Sequence, residues 1–507
     1  MRWAALAPFV CAAALHGQSL DFHADYVQLE GRRAGDILFE DIDGDGRRDL
    51  LVATEGDDGV TRRIELFLRH ADGSGFSTAP DRSIDVPRDV VAFALADLDP
   101  EPGRELVLCS ASIAVGMHLC GDGGARPFRI ANIELLWQPA NLPHTYLLAD
   151  CVADLDHDGH DDLLIPEPKG YRALLQRRDA DGKLACLSFE LVTPTPPPDA
   201  TDKSQARLRA QAGSLQIRVR DKDRARLAAV VEIEDSVPIP ALCDFDGDGD
   251  LDVVALIDHL LCVWPWNDGY AREPSLRFTV KDSGSSLLNP SRSVQVADLD
   301  GDHRFDLLAV TGRAQGDDIE SRVEVYLQQP DGHFPDKPTD RLLLRGFVDI
   351  PRVCDIDGDG LPELVIGSLR TDVLGALANG GSSNLEAQLN VFRNEFRGNR
   401  PRFARPVSLA ERILLPTDVM RGRFRDRMLA TWLFDADGDG VRDFLQRTDA
   451  EKLQIRRTMR TDSGFELGVA LWQTTIDKRA RVLPFVDGGR LAMLVVEGTQ
   501  VIHLEQR

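Results

Sequence analysis

The chain has 507 residues, 43% hydrophobic and 28% charged, with 83 acidic residues against 59 basic ones. The resulting net charge of −24 makes nucleic acid an unfavourable partner. Eight cysteines without regular spacing argue against a disulfide framework, and no apolar run is long enough to span a bilayer.

Met1-Arg2-Trp3 followed by the apolar run Ala4 to Leu15 has the charged tip and short core of a secretory signal, with cleavage expected near Gly17. Residues 18–507 are read as one domain of a secreted, extracellular or periplasmic monomer. Leu20 to Leu29 then reads as a strand led by an aromatic residue, ahead of the first of a series of acidic loops.

The loops are clearest at Asp244 to Asp252, which reads Asp-Phe-Asp-Gly-Asp-Gly-Asp-Leu-Asp. Carboxylates at positions 1, 3, 5 and 9, joined by the carbonyl of position 7, form an all-oxygen set suited to Ca²⁺ rather than zinc or copper. Glycine at position 6 lets the backbone turn through positive φ. Position 12 is Ala255, where an EF-hand would supply Glu, and an apolar strand follows instead of a helix.

Copies begin at Asp41, Asp97, Asp154, Asp244, Asp298, Asp355 and Asp435, spaced by about 55 residues except where two units carry insertions. Loop 1 offers Asp41, Asp43, Asp45 and Asp49 with the carbonyl of Arg47. Loop 2, Asp97 to Glu105, places Pro102 where positive φ is needed, so a metal there is doubtful. Loop 3 offers Asp154, Asp156, Asp158 and Asp162 with the carbonyl of His160. Loop 4 offers Asp244, Asp246, Asp248 and Asp252 with the carbonyl of Asp250. Loop 5 offers Asp298, Asp300, Asp302 and Asp306 with the carbonyl of Arg304, but His303 replaces the glycine at position 6. Loop 6 offers Asp355, Asp357, Asp359 and Glu363 with the carbonyl of Leu361. Loop 7 offers Asp435, Asp437, Asp439 and Asp443 with the carbonyl of Val441. About six Ca²⁺ ions are therefore expected. For a single loop the alternative is a solvated Asp-Gly turn; six in phase leave that alternative little room.

A weaker repeat runs in phase: a strand, a turn with Gly, then an aromatic opening another strand, as in Val323 to Leu327, Asp331-Gly332 and Phe334. Each unit thus spells four strands, which predicts an all-β propeller. Residues 481–504 keep the rhythm without carboxylates and read as a last, metal-free blade, whose missing fourth strand would be Leu20 to Leu29. Eight blades are expected, with seven as the alternative.

Insertions are placed at about 166–237 and 369–430. The first holds a polyproline run at Thr193 to Pro198 and a hairpin from Leu215–Asp221 to Arg226–Ile233. In the second, Thr371 caps a short helix, Asp372 to Ala378, and arginines from Arg393 to Arg427 form a basic stretch that an anionic glycan could meet. Trp264, Trp266 and Tyr270 read as packing between blades, with a sugar platform as the alternative. Cys151, Cys243 and Cys354 read as buried thiols, and Cys109 and Cys120 as a possible pair across a hairpin.

The phased loops resemble the FG-GAP family, also called VCBS repeats, found in integrin α-chain heads and many secreted bacterial proteins. The resemblance implies a calcium-stabilised propeller and no single function. No nucleophile elbow, zinc-protease helix or phosphate-binding loop is present, so no catalytic residues are assigned. The expected role is a calcium-dependent binding or adhesion module for an extracellular protein or glycan. The alternative is a polysaccharide-active enzyme resembling the rhamnogalacturonan lyases, which also use propellers with calcium loops.

Overall fold

The computed structural model describes residues 20–58, 60–73, 75–98, 102–120, 127–136, 146–147, 151–178, 184–194, 209–210, 213–218, 230–234, 240–257, 260–279, 293–315, 318–348, 351–369, 384–396, 401–405, 407–416, 431–447, 451–477, 480–487 and 489–507. The signal segment, the polyproline run beyond Pro194 and the expected helix at 372–378 lie outside these residues.

Eight blade sheets follow one another in chain order, each with a core of antiparallel strands, and Tyr146–Leu147 adds in parallel to Val90–Ala96 in the second. Blade 4 shows the plan: Ala241–Cys243, the acidic loop, Asp252–Ile257, Leu260–Trp264 and Leu276–Thr279. In every loop, position 9 is the first residue of the second strand, from Asp49 in Asp49–Glu55 to Asp443 in Asp443–Arg447. The eighth sheet pairs Arg481–Asp487, Arg490–Glu497 and Gln500–Gln506 with the N-terminal strand Phe22–Gln28, in register from Phe22 opposite Gln506 to Gln28 opposite Gln500. The chain ends thus close the ring, and the blade number is eight.

The blades are held to each other by apolar side chains that alternate out of each pleat. Buried clusters bridge successive sheets all the way round: Leu51 and Ile64 of blade 1 pack with Phe93 and Leu106 of blade 2, and Val254 and Val263 of blade 4 with Leu307 and Tyr326 of blade 5. At the closure, Val27, Leu494 and Val496 of blade 8 pack with Phe39, Leu50 and Phe67 of blade 1. Trp264 is fully buried and meets Tyr171 of blade 3 edge-on at 6.1 Å, while Trp266 meets Phe189 at 6.3 Å. These contacts make the aromatics interblade packing.

Several expectations change in detail. Blade 3 continues through Gly170–Arg178 and Leu184–Val192, so the first insertion is narrower than 166–237. Pro166, the expected start of that insertion, instead lies inside Asp162–Glu167 and pairs with Tyr171. Beyond Val192 a separate three-stranded sheet of Arg209–Ala210, Gly213–Arg218 and Val230–Glu234 contains the expected hairpin. Likewise Asn384–Phe392 and Leu409–Pro416 are the third and fourth strands of blade 6, with the small hairpin Asn394–Phe396 and Pro401–Phe403 between them. Cys109 and Cys120 are both free: Cys109 faces the cluster shared with blade 3, and Cys120 the cluster shared with blade 1. The two thiols pack into different clusters, on either side of blade 2.

Candidate metal centre

Each loop is a knot of backbone donors around its own carboxylates. In loop 4, Asp244 accepts from the N–H groups of Gly247 (2.8 Å) and Gly249 (3.0 Å), and Asp248 from that of Asp250 (3.0 Å). Loops 1, 5, 6 and 7 repeat this, with Asp41, Asp298, Asp355 and Asp435 accepting from positions 4 and 6. In loop 3, Asp154 accepts from Asp158 and Gly159 instead. The position-7 residues Arg47, His160, Arg304, Leu361 and Val441 likewise donate their N–H to the carboxylate at position 5.

These bonds consume only part of each carboxylate's capacity and draw the oxygens together. Single oxygens of Asp41, Asp43 and Asp45 lie within 4.8 Å of one another, as do those of Asp154, Asp156 and Asp162, of Asp244, Asp246 and Asp248, of Asp298, Asp300 and Asp302, and of Asp355, Asp357 and Asp359. Position 3 carries the sign of a missing partner: the Oδ1 atoms of Asp156, Asp300 and Asp357 are buried and accept no hydrogen bond. A buried carboxylate oxygen left so is costly. An oxygen-only donor set with orphaned acceptors fits a hard divalent cation.

Position 9 has a second duty. Asp252 is fully buried and accepts from Phe245 N–H (2.8 Å) in its own loop and from Trp266 N–H (2.9 Å) beyond the third strand. Asp49, Asp162, Asp306 and Asp443 make the same two-way link. Glu363 makes the first half, accepting from Ile356 N–H at 2.8 Å. Burial disfavours the charged form and pushes Asp49 and Asp252 up to about 6, Asp162, Asp306 and Asp443 to about 7, and Glu363 to about 8. Solvated turn acids would behave otherwise.

The loops also touch around the ring. Arg104 N–H donates to the Ile42 carbonyl (2.9 Å), and Arg442 N–H to that of Ile356 (2.8 Å), each joining one loop to the loop before it. Side-chain amides add to this, with Asn394 reaching the Leu299 carbonyl and Gln506 the Ala436 carbonyl, both at 2.8 Å. Sequence reasoning missed these amides, whose only signal is an Asn or Gln just past a third strand.

Positive φ is needed at position 4 as well as position 6, as at Gly247 (82°) and Gly249 (96°). His157 at position 4 of loop 3 (58°) and His303 at position 6 of loop 5 (67°) bear that strain as non-glycine residues. The His303 side chain is 94% exposed, so little is lost by removing it. His303→Gly is expected to stabilise the protein by about 0.5–1 kcal/mol, net of the glycine's greater freedom when unfolded; an unchanged or lower denaturant midpoint would contradict this. In loop 2 the left-handed residue shifts to Gly103 (112°), because Pro102 cannot adopt it. Asp99 and Glu101 of that loop lie outside the described residues.

Residues 244–309, from loop 4 into the second strand of blade 5, match the family model described as FG-GAP-like repeat. The chain is thus a propeller that carries an FG-GAP-like repeat. Among solved structures, this propeller is similar to the Dos1 propeller (8% identity, TM-score 0.41, 95% of this chain and 94% of that one). It is also similar to the Pseudomonas aeruginosa periplasmic gluconolactonase PpgL (14%, 0.27, 85% and 96%). A third likeness is to the Photorhabdus luminescens Tc holotoxin pore (14%, 0.27, 95% of this chain), of whose chain the match spans only 27%. At these scores none carries an argument about activity. No curated protein matches the chain.

Proposed function

We propose that this FG-GAP propeller is a secreted, calcium-loaded binding module for an extracellular protein or glycan. What carries the calcium reading is the set of buried position-3 oxygens, Asp156, Asp300 and Asp357, that accept no hydrogen bond inside loops of converging carboxylates. Six oxygens or more at a flexible loop suit Ca²⁺, whereas Mg²⁺ holds its waters and a stricter octahedron. The loops are stitched to one another, so ions bound there would brace one face of the ring and leave it rigid for a partner.

A cavity of about 620 Å³ adjoins loop 1, lined by Glu40, Asp41, Arg48, Arg104, Asp161 and Asp487. Arg104 lies 2.7 Å from Asp161 and 3.5 Å from Glu40, and Arg48 lies 3.5 Å from Asp487. Such paired charges suit a polar ligand, which favours hydroxyl-rich glycans or a polar protein loop over apolar molecules. The expected basic patch is weaker support, because Arg393 and Arg405 are already paired with Asp357, Asp359 and Asp340.

The test presents the calcium-loaded protein to arrayed matrix proteins and glycans, acidic polysaccharides included, while absorbance is followed at the unsaturated-uronate band. Retention without turnover supports the binding module. Appearance of unsaturated product would overturn it in favour of a lyase.

A further inference from the structure

The third strand of each blade decides what stands beside the loop carboxylates, and the blades differ. We infer that Arg177, Arg393 and Arg457 are built-in counter-cations that lower the divalent-ion affinity of loops 3, 6 and 7, and that loop 4 is the tightest site. The inference rests on the calcium reading above. Arg177, near the end of Gly170–Arg178, ion-pairs with Asp156 and lies 2.9 Å from Asp158. Arg457, in Lys452–Thr461, reaches Asp437 at 3.0 Å and Asp439 at 2.8 Å. Arg393 follows Asn384–Phe392 directly and lies 3.4 Å from Asp357 and 3.6 Å from Asp359. Arg460 of the next blade brings a second guanidinium to 3.1 Å from Asp357.

These arginines flank one place in the blade, the residue whose backbone N–H meets the position-9 carboxylate. That residue is Gln176 in blade 3 and Thr458 in blade 7. Asn394 holds the equivalent place in blade 6 by its side chain alone, whose amide reaches the preceding loop as that of Gln328 does in blade 5. In blades 4 and 5 the place belongs to Trp266 and Gln328, whose neighbours Pro265, Asn267, Leu327 and Gln329 are all uncharged. Loops 1 and 5 instead pair their own Arg47 and Arg304 with the position-5 carboxylate. Among the described residues, loop 4 has no ion pair to arginine or lysine. The His157 imidazole of loop 3 lies 3.4 Å from Asp250, and the stem of Arg304, whose guanidinium is turned to Asp302, passes beside Gly247.

A guanidinium already lying against the carboxylates at positions 3 and 5 supplies part of the charge that an ion would supply. A dication entering loops 3, 6 or 7 must displace that group or sit beside it against like-charge repulsion. One unit charge about 5 Å from a dication, in a site open to water, changes affinity on the order of tenfold. The same arginines hold their loops together when no ion is bound. Loop 4 has no such substitute and depends on the ion most.

The full-length chain, stripped by chelator, is titrated with Ca²⁺ by calorimetry while native mass spectrometry counts the bound ions. The wild type is expected to show a tight and a weak class, the tight class diminished in Asp246→Asn. Arg177→Gln is expected to move one ion from the weak class to the tight class, a gain of about tenfold, and to lower the melting temperature of the chelated protein. Arg177→Lys keeps the charge, so it should leave the weak class in place and separates charge from packing. If ions bind but Arg177→Gln leaves the isotherm unchanged or weakens it, the inference is wrong and the calcium reading stands. If no ion binds to any variant, both fall.

Discussion

Chelation of the purified protein is expected to lower its melting temperature by on the order of 10 °C or more. The size follows from mass action. An ion present at ten times its dissociation constant stabilises the folded form by about 1.4 kcal/mol per site, and six loops together reach about 8 kcal/mol. The effect is not confined to the loops, because the position-9 aspartates of loops 1, 3, 4, 5 and 7 tie their loops to the end of a third strand, and adjacent loops share hydrogen bonds such as Arg442 N–H to the Ile356 carbonyl. Loosening one loop therefore loosens the blade contact beside it. Differential scanning calorimetry in excess EGTA and in millimolar Ca²⁺ reads the difference, and superimposable traces would sink the calcium assignment.

The pH dependence of stability is expected to reverse sign with calcium. In the ion-free protein, burial raises Asp49 and Asp252 to about 6, Asp162, Asp306 and Asp443 to about 7, and Glu363 to about 8. Between about pH 4 and those values the folded chain holds more protons than the unfolded chain, so stability falls as pH rises through that window. The ion-free protein should be more stable at pH 5.5 than at pH 8, by on the order of 2 kcal/mol or more. With Ca²⁺ bound the carboxylates must be ionised, and ion binding releases protons, so the loaded protein should be the more stable one at pH 8. Urea midpoints at the two pH values, with and without chelator, give four numbers. If both forms lose stability in the same direction, the buried carboxylates are not what the ions engage.

Much of this was legible beforehand because each acidic loop is a local object. Alternating aspartates and glycines over nine residues dictate their own turn and leave their mark wherever they recur, so seven phased copies were enough to predict a ring of four-stranded sheets. The metal-free eighth unit and the N-terminal strand that completes it were legible as well, since Phe22–Gln28 carries the rhythm the last unit lacks. The strain at His303 followed from the glycine it replaces; that at His157 did not, because position 4 is left-handed only through the way the assembled loop wraps Asp154.

What lay beyond the sequence was everything that depends on two distant segments meeting. That Arg177, Arg393 and Arg457 stand against loop carboxylates is set by third strands 18 to 36 residues away. That Cys109 and Cys120 pack into different clusters is set by how blade 2 sits between its two neighbours. The amino-acid sequence by itself determined the repeating unit and its oxygen donors, because those forces act within one turn of chain. Only the tertiary structure decided which carboxylates are buried, which are already answered by a guanidinium and which are left open, because desolvation and charge pairing exist only once the blades are packed side by side.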